Sequence, residues 1–164
     1  MIPRLIATVF GVGTLRPAPG TWGSLAALPM AWGLHMVGGF ALLAAATLVV
    51  FFLGWWATAE ATRGMDDHDP SEIVIDEVAG QWLALWALSW PATQHEIAIT
   101  ALWPGCIAAF VLFRAFDIFK PGPVGWADRR KDAFGVMLDD VIAGALAALC
   151  VAVLAGLYHG FLGL

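Results

Sequence analysis

The chain has 164 residues, of which 60% are hydrophobic and 13% charged, and its mean hydropathy is +0.80. Soluble domains run near 45–50% apolar and about 25% charged, so a soluble globular fold is excluded and a single membrane-embedded domain over residues 1–164 is expected. A net charge of −5 with no basic stripe excludes nucleic acid as a partner.

Residues 2–10 are apolar but short, and no small-residue cleavage site follows them. They predict an interfacial helix rather than a cleaved signal. Five candidate helices come next: 24–36, 40–61, 73–90 closing at Pro91, 97–119 closing at Pro121, and 136–164. About 20 apolar residues cross a bilayer, and the first and third segments are marginal in length. The expected fold is therefore an all-α polytopic membrane bundle of about four to five transmembrane helices. Nine tryptophans suit interfacial anchoring. Cys106 and Cys150 fall in apolar stretches without metal-ligand spacing and are expected as buried small hydrophobes.

Orientation follows from the basic residues. Arg4, Arg16, Arg63, Lys120, Arg129, Arg130 and Lys131 all lie in the loops 1–23, 62–72 and 120–135, and Arg114 lies near the same end of its helix. The opposite connections, 37–39 and 91–96, carry no Lys or Arg. The positive-inside rule puts the charged loops in the cytoplasm.

The acids gather at that same end. Asp69, Glu72, Asp76, Glu77, Asp117, Asp128, Asp139 and Asp140 sit in or beside apolar runs. A carboxylate at the bilayer centre costs roughly 2.5–3.5 kcal/mol on insertion scales. Acids that persist in such segments usually have a task, and a cluster of hard oxygen ligands suits a divalent cation such as magnesium.

Four clusters carry this chemistry. The loop from Gly11 to Ser24 is rich in Gly and Pro and ends in Thr21 and Ser24 where a helix begins. It reads either as a turn with an N-cap or as a phosphate site at a helix N-terminus. In the second, Glu72 and Asp76 are four apart on one helical face, with Glu77 about 100° away. An apolar turn, Ile73-Val74-Ile75, precedes the Asp76-Glu77 pair, which fits poorly with a merely solvated helix start. In the third, Arg114, Asp117 and Lys120 recur every three residues. They form either a self-neutralising ladder or a metal- or water-binding acid with basic phosphate clamps. In the fourth, Asp139 and Asp140 are embedded among apolar residues, with Gly144 permitting close helix packing. Burying two acids without a counter-cation costs several kcal/mol. His35, His95 and His159 read as structural or solvated; His68 lies in an acidic loop.

In this order the clusters resemble the phosphatidylglycerophosphatase A family. The matching elements are Pro19-Gly20-Thr21-Trp22-Gly23-Ser24-Leu25, Ile73-Val74-Ile75-Asp76-Glu77, Phe116-Asp117-Ile118-Phe119-Lys120-Pro121 and Met137-Leu138-Asp139-Asp140-Val141-Ile142-Ala143-Gly144. The chain departs from the family pattern at Ala133, where a glycine-richer turn is usual. The resemblance implies an all-helical, multi-pass enzyme of the bacterial inner membrane. Such an enzyme removes the terminal phosphate of phosphatidylglycerophosphate, requires Mg2+, and works among membrane lipids with its site toward the cytoplasm.

On that reading Asp76, Glu77, Asp139 and Asp140 hold the metal, and Asp117 is a base or a supporting acid. Arg16, Thr21, Ser24, Arg114 and Lys120 are the candidates for holding the substrate phosphate. Two other readings use the same acids: a small cation transporter, and a CDP-alcohol phosphatidyltransferase-like enzyme. The spaced Asp-Gly-x-x-Ala-Arg pattern of the latter is missing here.

Overall fold

The computed structural model describes residues 1–65 and 69–162, with side chains as far as Tyr158. Asp66, Asp67, His68 and the side chain of His159 lie outside the described residues. Among the described residues there are α-helices and short 3-10 turns and no strand.

Helix α1 (Ile2–Ala7) opens with Pro3, whose fixed φ suits a first helical turn. It is shorter than the expected 2–10, because Val9 and Phe10 turn to positive φ. A 3-10 turn (Val12–Thr14) leads to α2 (Pro19–Ala61), which again begins on a proline. A straight helix would place Gly23 and Gly54 about 46 Å apart. Yet a Cβ on Gly23 would lie 2.8 Å from Val74 Cβ, and one on Gly54 would lie 3.1 Å from Ile75 Cγ1. The chain therefore folds back within α2. The reversal is at Gly38 and Gly39, the latter at φ 60°, a conformation glycine adopts without strain. Thr93 Oγ1 accepts the Phe40 N–H at 2.9 Å and ties the turn to the next helix pair.

That pair is α3 (Ile75–Ala84) and α4 (Trp86–Gln94). Pro91 does not end the segment as expected. The helix continues for another turn, to where the His95 N–H meets the Pro91 carbonyl. A second 3-10 turn (Ile99–Leu102) precedes α5 (Trp103–Phe119), so that helix starts later than residue 97. A short α6 (Pro123–Asp128) follows, and α7 (Ala133–Leu162) completes the chain. The start of α7 is set by Asp132, whose Oδ1 accepts the Gly135 N–H at 2.6 Å, an N-cap contact.

Among the described residues, three helical stretches are long and apolar enough to cross a membrane: Pro19–Ala61, Ile99–Phe119 (the second 3-10 turn with α5) and Ala133–Tyr158. Many large apolar side chains on their outer faces are exposed, among them Phe52, Trp55, Val111, Leu149 and Val153. A water-soluble domain does not display so much apolar surface. This is a membrane protein. Three is fewer than the four to five helices expected, because α2 holds the first two expected segments as the two arms of one continuous element and the third breaks at Leu85 into pieces of 10 and 9 residues.

Helix α3 lies at the centre, packed most extensively on α7 and α2. Its Trp82 indole donates to the Ala27 carbonyl at 2.9 Å, and the Trp86 indole donates to Thr47 Oγ1 at 3.2 Å, so both arms of α2 are bonded to the α3–α4 pair. The core holds Leu43, Val74, Val78, Phe113 and Met137. Both cysteines are free and only half-buried, against expectation, because each sits on a helix flank that no other helix fully covers.

Candidate active site

The site is made by the close approach of α3 and α7. A Cβ on Gly144 would strike the Gly80 carbonyl, and one on Gly80 would lie 2.5 Å from the Asp140 carbonyl and from Phe113 Cε2. Only glycines allow backbones this near. Asp76 precedes Gly80, and Asp140 precedes Gly144, by four residues, about one helical turn. The glycine crossing therefore brings the two aspartates together at the next level. Asp76, Glu77 and Asp140 each present a carboxylate oxygen within 4.8 Å of the others.

All three sit deep. Asp76 and Asp140 are buried, and the Glu77 side chain is 12% exposed. Asp76 Oδ1 and Glu77 Oε2 are buried and accept no hydrogen bond. Buried carboxylates facing one another without donors are strongly unfavourable. A divalent cation would offset this cost, and carboxylate oxygens are the hard donors that a cation such as Mg2+ takes. The donor set fits that group.

Arg114 flanks the triad. Arg114 Nη1 lies 2.5 Å from Asp117 Oδ2 and 3.7 Å from Glu77 Oε1, and donates to Ser24 Oγ at 3.4 Å. Its buried Nε has no partner. The guanidinium is thus fixed on one edge and can still donate. Gly20 closes the site from above: a Cβ there would overlap Glu77 Oε1 and lie 3.1 Å from both terminal nitrogens of Arg114. The first turn of α2 consequently rests on the acids and the arginine, with the positive end of the helix dipole close by. Ser24 is buried and donates to the Gly20 carbonyl at 2.9 Å, which stiffens this turn.

The remaining expected residues divide. Asp139, one residue from Asp140, is not in the triad. Its Oδ2 meets Lys120 Nζ at 2.6 Å, and its Oδ1 accepts the Asp140 N–H at 2.9 Å. Lys120 bridges from Asp139 to Asp128, also at 2.6 Å. Burial opposes the lysine's charge, but the two carboxylates outweigh it and raise its pKa above the usual lysine range. Asp117 points at Arg114 and lies within reach of Asp140. Arg16 is exposed and donates to Ser71 Oγ at 3.1 Å, away from the triad. Thr21 is half-buried on the first turn of α2. At the far end, His35 Nδ1 pairs with Ser89 Oγ at 2.8 Å, a structural contact.

Two contributors escaped the sequence reading. Gly20 was part of a recognised loop, but its close approach to Glu77 and Arg114 depends on a contact 57 residues away. Gln81 is fully buried on α3 with neither amide atom bonded, one turn below Glu77; its four-residue spacing from Glu77 was the available signal.

A family profile described as phosphatidylglycerophosphatase A matches residues 5–155. The chain is similar to the phosphatidylglycerophosphatase A of Haemophilus influenzae, with 38% identity over 149 residues covering 90% of this chain and 85% of that protein. It is 35% identical over 146 residues to the Escherichia coli protein of the same name, covering 88% and 78%. A Bacteroides thetaiotaomicron protein that carries the provisional name phosphatidylinositol-3-phosphatase is 39% identical over 156 residues, covering 93% and 92%. No solved structure matches.

Proposed function

The chain belongs to the phosphatidylglycerophosphatase A family, and on that footing we propose that its acidic triad works as a magnesium-dependent phosphatase site at a membrane surface. The reaction is hydrolysis of phosphatidylglycerophosphate to phosphatidylglycerol and inorganic phosphate. The transporter and phosphatidyltransferase readings give way to it.

The observation that carries the proposal is the triad itself: three deep carboxylates within 4.8 Å, two of them with unbonded oxygens. Asp76, Glu77 and Asp140 would hold the metal. When bound, Mg2+ supplies charge neutralisation and polarisation of phosphoryl oxygens. The protein's own groups do the rest. Arg114, held on one side by Asp117 and Ser24, offers its unused N–H groups to a phosphate oxygen. The first turn of α2 adds the Gly20 N–H as a backbone donor, since the Thr21 and Trp22 N–H groups both meet the Ala18 carbonyl. Asp117 serves to hold Arg114, given their 2.5 Å contact. Lys120, shared between Asp139 and Asp128, offsets part of the negative charge beside the triad. Two attacking groups fit a site built of carboxylates, a water or an aspartate that forms an aspartyl-phosphate, and we assign the attack to water.

The proposed membrane arrangement has five crossings: the two arms of α2, the α3–α4 pair, α5 and α7. All eight Lys and Arg residues lie toward the acidic end, and the positive-inside rule then faces the site to the cytoplasm of a bacterial inner membrane.

The test is phosphate release by purified protein from phosphatidylglycerophosphate in detergent micelles, with and without a chelator, beside phosphatidylinositol 3-phosphate as competitor substrate. Release that needs Mg2+ and prefers phosphatidylglycerophosphate is expected. Undiminished release after chelation would remove the metal from the proposal.

A further inference from the structure

The two helices that meet at Arg114 part company deeper in the molecule. Arg114 on α5 reaches Ser24 on the first arm of α2, and Gly20 lies against the same guanidinium. Below this bridge α5 packs mainly on α7 and touches α2 only sparsely. The gap is a groove of about 460 Å³ lined by Leu28, Ala31, Leu43, Leu85, Trp103 and Cys106 among others. That volume lies within the range of about 300–1,000 Å³ typical of ligand sites. Leu43 and Leu85 are buried and form its floor, whereas Trp32 and Trp103 are exposed on its rim, so the groove opens to the outside of the bundle.

Its depth matches a lipid tail. Leu28 follows Gly20 by eight residues along α2, and Cys106 precedes Arg114 by eight along α5. At 1.5 Å per residue both lie about 12 Å below the polar site. Half the hydrocarbon core is about 15 Å thick. A lipid whose phosphate sits at Arg114 would therefore carry the distal part of one acyl chain past these residues.

We propose that this groove holds an acyl chain of the phospholipid whose phosphate is presented to the triad, and that Leu28, Trp103 and Cys106 set the chain length accepted. The inference rests on the lipid-phosphatase reading above and adds a specificity element to it. A chain too short to reach 12 Å leaves the groove unused. Each methylene seated there changes affinity roughly fourfold.

Two measurements test it. In the first, kcat/KM is compared for dihexanoyl and dipalmitoyl phosphatidylglycerophosphate with the wild type, Cys106→Phe and Trp103→Ala. Narrowing by Cys106→Phe is expected to lower kcat/KM on the long-chain lipid tenfold or more with little change on the short one. Trp103→Ala is expected to leave the long-chain substrate at least as good. Equal changes for both chain lengths in both variants would overturn the groove.

The second measurement needs no turnover. N-ethylmaleimide alkylation of Cys106, read by peptide mass spectrometry with Cys150 as internal control, is followed with added dipalmitoyl or dihexanoyl lipid phosphate, or with dipalmitoylglycerol. Protection by the long-chain phosphate alone supports the proposal. Equal protection by dipalmitoylglycerol, or none by any lipid, overturns it. Loss of phosphate release with retained protection would sink the phosphatase reading and leave the groove standing.

Discussion

Lys120 Nζ stands 2.6 Å from Asp139 Oδ2, and this contact separates two adjacent aspartates into different tasks. Asp140 faces Asp76 and Glu77, while Asp139 faces a lysine. Neighbours on a helix point about 100° apart, so a single ion does not engage both easily.

The two aspartates should accordingly respond differently to substitution. Asp140→Asn and Asp76→Asn are expected to lower kcat by about 10²–10³ or more and to weaken Mg2+ binding by calorimetry, because each removes a charge from the triad. Asp139→Asn should retain Mg2+ affinity within a few-fold. An equal loss of metal binding in Asp139→Asn and Asp140→Asn would contradict this division.

The Gly80–Gly144 crossing should be intolerant of any side chain. Gly144→Ala drives a methyl group onto the Gly80 carbonyl, and overpacking of this kind typically costs about 1–3 kcal/mol. Thermal unfolding in detergent should show the loss, together with weakened Mg2+ binding as the acids are pushed apart. The exposed face of the same helix gives a control: Leu149→Ala should leave both properties close to wild type.

Arg114 is a planar fork held by three oxygens, and lysine does not reproduce that fork. Arg114→Lys should preserve the charge yet lower kcat/KM by about tenfold to a hundredfold. Arg114→Gln should lower it further. Steady-state kinetics on phosphatidylglycerophosphate decide the matter, and a fully active Arg114→Lys enzyme would show that charge alone suffices.

Acid should loosen the start of α7 through Asp132. Burial pushes its carboxyl upward, but the Arg130 guanidinium and the Gly135 N–H outweigh that and hold its pKa below the ordinary value. A depressed carboxyl pKa stabilises the fold above the unfolded value, near 3.9, and the benefit is lost as pH falls through the folded value. Asp132→Ala should therefore cost about 1 kcal/mol at neutral pH, the usual worth of a helix cap. Melting curves of the variant and the wild type should converge below about pH 4.

Much of this arrangement was legible in the residues. Apolar runs marked the helices, and the gathering of acids and basic residues at common segment ends marked the site. Asp76, Glu77, Asp117 and Asp140 converge, as those patterns suggested. What pattern alone did not reveal was long-range. Leu85 breaks a helix with no proline or glycine to announce it. The division of Asp139 from Asp140 depends on Lys120, the left-handed cap of α5 at φ 46°, reaching across to α7. Gly144 suggests close packing in the sequence, but that its partner is Gly80 is a long-range fact of the fold.

The turn at Gly38 and Gly39 bears on how the protein is made. Its two residues carry no charge and no side chain, and the arms on either side are too closely joined to lie in different places. No charged group has to be carried across with this turn, so inserting the two arms as one hairpin costs little.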